Sequence, residues 1–501
     1  MKFCLPSTYI NRSDHVLYND SPSNLVYQPN VYQLAGYLAT RANLKWIIDI
    51  GCGSAGKLVP FAEQFSLIGI DSQFGIDMAR KAIPAAKLIV HDLETALPNL
   101  PDEVLINSLI ICSDVIEHLQ KPNVLMAQLA ELSRRVPYII VSTPDRDRAR
   151  GWLDDGPPAN PAHVMEWNGT EFVRFMRESG FDEIPFHGHT INTDFHRAKT
   201  TVVSISGEHV RIKGNVPSKK IAAIIHAYNE ADVLPETVRH LVDQGVEVHY
   251  FDNWSTDGSW EIVQALMTEG SVKNCERFPG DPSDNYEWHK QLTKTSEYAK
   301  TLDAEWVMHH DADEIRISPW DGVKLNEAIA HIDALGFNAI DFTVIDFRFI
   351  ENGPRGEAPY QESLTHFEFG RRPGHFLQVK CWKNASQVDL ANSGGHDASF
   401  GDRNIYPIKF LLKHYPLRNK PQANKKVFES RLPRFGKEKE IYGWHSQYDR
   451  FAGVNDIVGW KYSELVPWHS IHFKTEYVIE RISGIGLVDI NSDTVSKVLA
   501  T

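Results

Sequence analysis

The chain has 501 residues, enough for two or three domains, and at 42% hydrophobic it can bury full cores. A net charge of −13 without a long basic block argues against nucleic acid as a main partner and gives no support to an electrostatic membrane anchor. No apolar run approaches the length of a transmembrane segment, MKFCLPSTYINRSD lacks the pattern of a secretory signal, and the five scattered cysteines lack metal-ligand spacing, so a reduced, cytoplasmic protein is expected.

After a helical lead-in around Val31 to Arg41, Lys45 to Ile50 reads as a short buried strand running into Gly51-Cys52-Gly53-Ser54-Ala55-Gly56, with a helix expected over Lys57 to Phe65. Strand, glycine turn and helix form the first unit of a doubly wound sheet. Further strands are expected at Leu67–Ile70, Leu88–Val90, Leu109–Cys112 and Tyr138–Val141, each ending in polar residues: Asp71, His91-Asp92, Ser113-Asp114 and Ser142-Thr143. Ligands of open α/β sheets sit at such carboxyl ends. Gly51, Gly53 and Gly56 match the dinucleotide fingerprint, but Asp49 stands where that fold wants an apolar residue. A carboxylate there suits a ligand carrying an ammonium group and no pyrophosphate, as S-adenosylmethionine does.

D-I-G-C-G at Asp49–Gly53, G-I-D at Gly69–Asp71, H-D-L-E at His91–Glu94, S-D-V-I-E-H-L at Ser113–Leu119 and the later H-V-M-E-W-N-G-T-E-F at His163–Phe172 resemble class I S-adenosylmethionine-dependent methyltransferases over about residues 44–190. The resemblance implies that Gly51 and Gly53 back the methionine moiety, Asp71 holds the ribose, Asp92 meets the adenine amino group and Asp114 sits beside the methionine end. Strand-end capping is the bland role for Asp92 and Asp114. Glu117 reads as solvent-facing on a helix. His118 and His163 are candidate general bases for an O-methylation, with an ordinary packed or exposed histidine as the plainer reading. Displacement at a sulfonium needs no metal, so this half is expected to be indifferent to EDTA.

Gly207 to Lys220 is polar and holds Gly and Pro, which places a linker over 207–218 between a first domain, 1–206, and a second, 219–501. Ile221 to Ala227 is a buried strand followed by Tyr228-Asn229-Glu230 and a helix over about Asp232 to Asp243. A second strand, Val246 to Phe251, ends in Asp252-Asn253-Trp254-Ser255-Thr256-Asp257-Gly258-Ser259, a turn and helix start in which Asp257 reads as a cap. A helix over His289 to Leu302 then leads to the strand ending in His309-His310-Asp311-Ala312-Asp313-Glu314. Two carboxylates one residue apart at a strand exit can reach one divalent cation, and hard oxygen ligands suit Mg²⁺ or Mn²⁺.

A-Y-N-E at Ala227–Glu230, D-N-W-S-T-D-G-S at Asp252–Ser259 and H-H-D-A-D-E-I at His309–Ile315 resemble family 2 glycosyltransferases of the GT-A fold, securely over about residues 219–420. The resemblance implies that Asn229, Glu230 and Asp252 line the nucleoside site, Asp311 lies near ribose or metal, and Asp313 is the main metal ligand. Of two late histidines, His396, on a glycine-flexed loop, is assigned to the metal, and His414 with Arg418 to the diphosphate. An inverting transfer needs a carboxylate base. The family's usual E-D pair is not evident, which leaves Glu362, Glu368 and Asp397 as candidates. Residues 419–501 form an extension rich in Lys, Arg, Trp and Tyr, with Gly443 to Asp449 suited either to sugar rings or to a packed cap.

The expected protein is thus α/β: a Rossmann-like methyltransferase domain, then a GT-A nucleotide-sugar-binding domain with a helical C-terminal extension. It would use S-adenosylmethionine and Mn²⁺ or Mg²⁺, taking a nucleotide sugar and a glycan or lipid-linked glycan acceptor, as in surface polysaccharide assembly. With no transmembrane segment expected, any membrane association is peripheral. The alternatives make the first domain a non-catalytic binding module or a nicotinamide-dependent oxidoreductase.

Overall fold

The computed structural model describes residues 3–14, 16, 28–191, 200–214, 216–351, 359–369, 377–384, 387–451 and 453–468. The chain divides between Ile212 and Lys213 into two compact units. No helix among the described residues is long and apolar enough to cross a membrane.

The first unit is built on β1 (Trp46–Ile50), β2 (Ser66–Asp71), β3 (Lys87–Val90), β4 (Ser108–Ser113), β5 (Tyr138–Pro144), β6 (Phe186–Ile191) and β7 (Thr200–Ser206). They form one sheet in the order β3-β2-β1-β4-β5-β7-β6. Strands β1 to β5 are parallel, and β7 runs antiparallel between β5 and β6. All six residues of β4 are buried, as expected of a parallel strand covered on both faces. The order reverses between β1 and β4, and a doubly wound sheet opens its ligand crevice at that switch point. Gly51 turns there at φ +82°; a Cβ would come within 2.3 Å of Val115 Cγ2, so only glycine fits.

The helix expected over Lys57 to Phe65 is a 3₁₀ segment, Gly56–Phe61, with Pro60 inside it. Proline has no N–H to donate and its ring crowds the preceding turn, so the α-helix does not propagate. The first part of the stretch read as linker belongs to the first unit: Glu208 N–H donates to Val136 O (2.9 Å), and Val210 is fully buried.

The second unit holds β8 (Ile221–Ala227), β9 (Glu247–Asp252), β10 (Asn274–Arg277), β11 (Trp306–His310), β12 (Glu314–Ile317), β13 (Ala339–Arg348), β14 (His366–Phe369), β15 (Val379–Lys383), β16 (Ile405–Leu417) and β17 (Val466–Pro467). The main path is β10-β9-β8-β11-β15-β13-β14-β17, and β16 joins β12 to β13. The strands β10, β9, β8 and β11 are parallel, with the switch point between β8 and β11. All seven residues of β8 and all five of β11 are buried. Helices Leu234–Asp243, Ser259–Thr268 and Trp288–Ala299 follow β8, β9 and β10 in the chain. Beyond β16 come helix Lys420–Asn424, a π-helical turn Lys425–Arg431 and helix Gly436–Tyr442. The remainder of the expected C-terminal extension, 469–501, lies outside the described residues.

If the segment after β7 is part of the first core, Val210→Ala in the full chain should lower that unit's stability by about 2 kcal/mol, from two buried methyl groups. Gly214→Ala, where an added Cβ meets nothing within 4 Å, should stay within roughly 0.5 kcal/mol of the parent. Urea unfolding of the full chain compares the two; equal stabilities would show that 207–211 is free linker.

Candidate functional sites at the two switch points

In the first unit the chemistry gathers beyond β1, β2 and β4. Asp49 is 1% exposed; its Oδ2 accepts from Tyr32 Oη at 2.9 Å and its Oδ1 has no hydrogen-bond partner among the described residues. Burial pushes this carboxyl up to about 6, against the opposing pull of Lys57 and Tyr32. Asp71, at the end of β2, accepts from Gly53 N–H at 2.8 Å and Ser72 N–H at 2.6 Å, so it fixes the glycine turn. Asp92 is exposed and caps the next turn through Glu94 N–H at 3.0 Å. Asp114 takes a left-handed φ of +53°, a costly conformation for a residue with a side chain. Its Oδ2 accepts from the Gln28 amide and its Oδ1 is buried without a partner among the described residues.

Glu117, expected at the surface, is fully buried. The segment after β4 makes only a 3₁₀ turn, Ile116–His118, which turns the Glu117 carboxylate inward onto Thr143 Oγ1 of β5 at 3.0 Å. His118 and His163, the two candidate bases, meet edge to face with ring centroids 4.8 Å apart. His163 is 8% exposed, with Nδ1 2.5 Å from Glu166 Oε1. His118 Nδ1 lies 2.8 Å from the Ala162 carbonyl oxygen.

In the second unit Asp311 and Asp313 leave β11 beside the residues that leave β8. Asp311 Oδ2 pairs with Lys380 Nζ at 2.8 Å, and Lys380 also holds Glu314 at 3.1 Å. Asp313 turns the other way: Oδ2 meets Lys426 Nζ at 2.7 Å and Oδ1 lies 3.7 Å from His414 Nε2. Burial alone would raise the Asp313 carboxyl, but Lys426, His414 and Arg418 hold it well below the usual carboxylate range. Glu230 is shared by Arg418 (2.9 Å), Lys426 (2.6 Å) and Arg431 (3.2 Å), and Arg418 also binds Asp232 at 2.7 Å. Lys426 and Arg431 are five residues apart on the π-helical turn, which brings both to one carboxylate. Neither had a sequence signal, because their meeting depends on that unusual spacing.

Asn229, at φ +57°, ties two loops together: its N–H donates to Ser255 Oγ at 3.0 Å and its Oδ1 accepts from Thr256 N–H at 2.8 Å. Asp257, one residue before the Gly258 N-cap, accepts from Ser259 and Ala231 N–H, each at 3.0 Å. Asp252 is fully buried and accepts from Ser255 N–H at 2.9 Å.

The two late histidines fall differently from the sequence assignment. His396 is exposed, its Nδ1 2.8 Å from Gln378 Nε2. The histidine facing Asp313 is His414, whose position follows from register: Asp346 of β13 is its partner across the sheet, and Asp346 Oδ1 lies 2.7 Å from His414 Nδ1. Of the candidate bases, Glu362 is exposed on the short helix Tyr360–Ser363, Glu368 pairs with Arg348 at 2.8 Å, and Asp397 pairs with Arg403.

Among the described residues, Asp313 and His414 could hold a divalent cation. Asp313 Oδ1 and His414 Nε2 face each other at a separation one ion can bridge, and Asp346 on the far nitrogen is the support that metal-binding histidines usually have. Asp311 is held away by Lys380. Two protein ligands suffice for Mg²⁺ or Mn²⁺ when phosphate oxygens and water complete the shell.

Family models match both halves: "Methyltransferase domain" over residues 26–184 and "Glycosyl transferase family 2" over 222–348. Among curated relatives, a protein of Mycobacterium tuberculosis described as a probable S-adenosylmethionine-dependent methyltransferase is 27% identical over 159 residues, 30% of this chain and 55% of that protein. The ubiquinone biosynthesis O-methyltransferase of Cupriavidus pinatubonensis is 26% identical over 196 residues, 35% of this chain and 72% of that protein. The chain thus spans about half the length of the mycobacterial relative. Among solved structures, the N-terminal domain of EvdMO1 is 15% identical with a TM-score of 0.27, covering 40% of this chain and 91% of that one. The fold assignment rests instead on strand order and the family models.

Asp49 yields a pH test. Burial pushes its carboxyl up to about 6, and if Oδ1 faces the ammonium group of a sulfonium cofactor, that group binds the ionised form. Affinity for S-adenosylhomocysteine should therefore rise as pH climbs from 5 to 7 and be lost as pH falls through ~6. Asp49→Asn should weaken binding by ~1.5 kcal/mol or more and flatten this dependence. Calorimetric titrations across that range decide it; an unchanged slope in the variant would remove Asp49 from the site.

Proposed function

We propose that this chain, which joins a methyltransferase domain to a glycosyl transferase family 2 domain, is a bifunctional transferase. One half moves a sugar from a nucleotide sugar to a glycan or lipid-linked glycan acceptor. The other methylates that glycan or its sugar with S-adenosylmethionine, in a cytoplasmic step of surface polysaccharide synthesis. The observation that carries this reading is the parallel placement of carboxylates at the two sheet switch points, Asp49 and Asp114 in one unit and Glu230, Asp311 and Asp313 in the other.

For the first half, Asp49 supports a sulfonium amino-acid cofactor over a dinucleotide. A buried carboxylate with a spare oxygen beside the glycine turn attracts an ammonium group and repels a pyrophosphate. Gly51 and Gly53 let the backbone approach the methionine end, Asp71 is the ribose-binding carboxylate, and Asp92, exposed after β3, is the group for the adenine amino group.

For the second half, Asn229, Glu230 and Asp252 line the nucleoside side. Asp313 with His414 would hold Mn²⁺ or Mg²⁺, whose chemistry is to offset charge on the departing diphosphate. Arg418, Lys426 and Arg431 now neutralise Glu230, Asp232 and Asp313. An arriving diphosphate can share these cations. We assign the metal to His414 in place of His396, on the 3.7 Å approach to Asp313. Glu362, Glu368 and Asp397 stay as base candidates; the exposed Glu362 is the one not committed to an arginine in the contacts above.

EDTA should abolish sugar transfer and Mn²⁺ or Mg²⁺ restore it. Asp313→Ala should lose ~10²-fold or more in rate without rescue by added metal, and His414→Ala should lose more than His396→Ala. Release of nucleoside diphosphate from a panel of nucleotide sugars measures all of these. Full transfer in EDTA would overturn the metal assignment.

A further inference from the structure

The first unit contains a second cluster, apart from the residues assigned above to the cofactor. One carboxylate oxygen of Glu117 and one ring nitrogen each of His118 and His163 lie within 4.8 Å of one another. Glu117 is fully buried; Oε2 is engaged by Thr143, and Oε1 is buried with no hydrogen-bond partner among the described residues.

Both histidines are oriented as metal-binding histidines are. His163 Nδ1 faces Glu166 Oε1 at 2.5 Å, and Asn160 Nδ2 lies 2.9 Å from Nε2. An amide nitrogen donates, so Nδ1 carries the proton and the Nε2 lone pair accepts from Asn160; a cation at Nε2 takes the place of that donor. His118 Nδ1 faces the Ala162 carbonyl at 2.8 Å, which accepts only from an N–H and leaves the lone pair on Nε2. A carboxylate or carbonyl on the far nitrogen is the usual outer support of a metal-bound imidazole. Glu166 is itself fixed, by Arg150 at 3.0 Å and by Tyr9 Oη at 2.9 Å from its own N–H.

The charge balance points the same way. Glu117, Asp114 and Glu166 bury three carboxylates close together; Arg150 pairs with Glu166, and Lys57 acts on Asp114. Among the described residues, Asp114 and Glu117 keep one oxygen each without a hydrogen-bond partner.

We propose that Glu117, His118 and His163 form a divalent-cation site, distinct from the one at Asp313, that holds the methyl acceptor. Two imidazoles and one carboxylate suit a transition cation such as Mn²⁺ or Zn²⁺ and leave coordination positions for an oxygen ligand. Adjacent donors on one ion lie about 3.0–3.4 Å apart at metal–ligand distances near 2.1 Å, so binding draws in any pair now near the 4.8 Å limit by an ångström or more. The acceptor class is an alcohol or phenol whose oxygen the cation orients and acidifies. That oxygen forms the new bond to the methyl carbon as the methyl–sulfur bond breaks. The sulfonium leaves as a neutral thioether, and the hydroxyl proton passes to the bare Oδ1 of Asp114. The role for the acceptor rests on the methyltransferase reading; the cation site does not. This reverses the expectation that methyl transfer ignores EDTA, because the metal acts on the acceptor and not on the sulfonium.

The test is a MnCl₂ titration of the full chain carrying Asp313→Ala, which silences the other proposed site, followed by electron paramagnetic resonance and electron spin-echo modulation. One tightly held Mn²⁺ per chain with two imidazole nitrogens is expected. Glu117→Gln, His118→Ala and His163→Ala should each weaken it at least ten-fold, and Glu166→Gln about ten-fold through the ring it orients. S-adenosylhomocysteine affinity, read in parallel, should stay within two-fold in these variants and reports that the unit is folded. With Mn²⁺ present, Glu117→Gln should melt lower than the parent, since it lacks the carboxylate ligand. Mn²⁺ uptake that ignores all three ligand substitutions, or an ion without nitrogen coupling, overturns the site. Mn²⁺ bound with two nitrogens but no S-adenosylhomocysteine binding would leave the cation site standing and remove the methyltransferase reading.

Discussion

A carboxylate buried at the end of a parallel strand must find positive charge or hydrogen-bond donors, and both halves of this chain are organised by that requirement. The second unit meets it from within. Asp311 and Glu314 share Lys380, Asp313 takes Lys426, and Glu230 takes Arg418, Lys426 and Arg431. Among the described residues the first unit meets it only in part: Tyr32, Gln28 and Thr143 each satisfy one oxygen of Asp49, Asp114 and Glu117, and the second oxygen of each has no hydrogen-bond partner. A buried polar group left in that state costs roughly 1–3 kcal/mol, more when charged. On the proposed reading, the first unit would receive cationic groups, and the second would exchange one set of anions for another.

That contrast bears on how each site works. On the proposed reading, a diphosphate in the second unit would compete for cations already in place, an exchange of partners with little net charge burial. In the first, cofactor and cation would supply charge, and their binding should stabilise the fold through linkage. Asp114 and Asn229 occupy equivalent places, each at positive φ just past a switch-point strand. Strain of this kind persists where the surroundings over-determine it, as at ligand sites.

Much of this was legible in the sequence, because it is local. The glycine turn after β1, the polar ends of β1 to β5, β8, β9 and β11, and the turn at Asp257 follow from short-range pattern. What failed was longer-range or exceptional. The helix after Gly56 was stopped by Pro60 within its own pattern. Glu117 looked exposed because a helix was assumed where a 3₁₀ turn stands. The pairing of β12, β13 and β16, which carries His414 to Asp313, depends on strand register that spacing does not reveal. Lys426 and Arg431 converge through a π-helical turn that no periodicity announces.

The central claim is that one chain holds two separate nucleotide sites, one per unit, of which the first takes a sulfonium cofactor. Calorimetry on the full chain tests it directly: S-adenosylhomocysteine, NAD and a nucleoside diphosphate with Mn²⁺ are titrated in turn and then in competition. The account predicts one S-adenosylhomocysteine per chain, no binding of NAD, and one nucleoside diphosphate bound with unchanged affinity to protein saturated with S-adenosylhomocysteine. Binding of NAD in place of S-adenosylhomocysteine, or mutual exclusion of the two nucleotides, would contradict it.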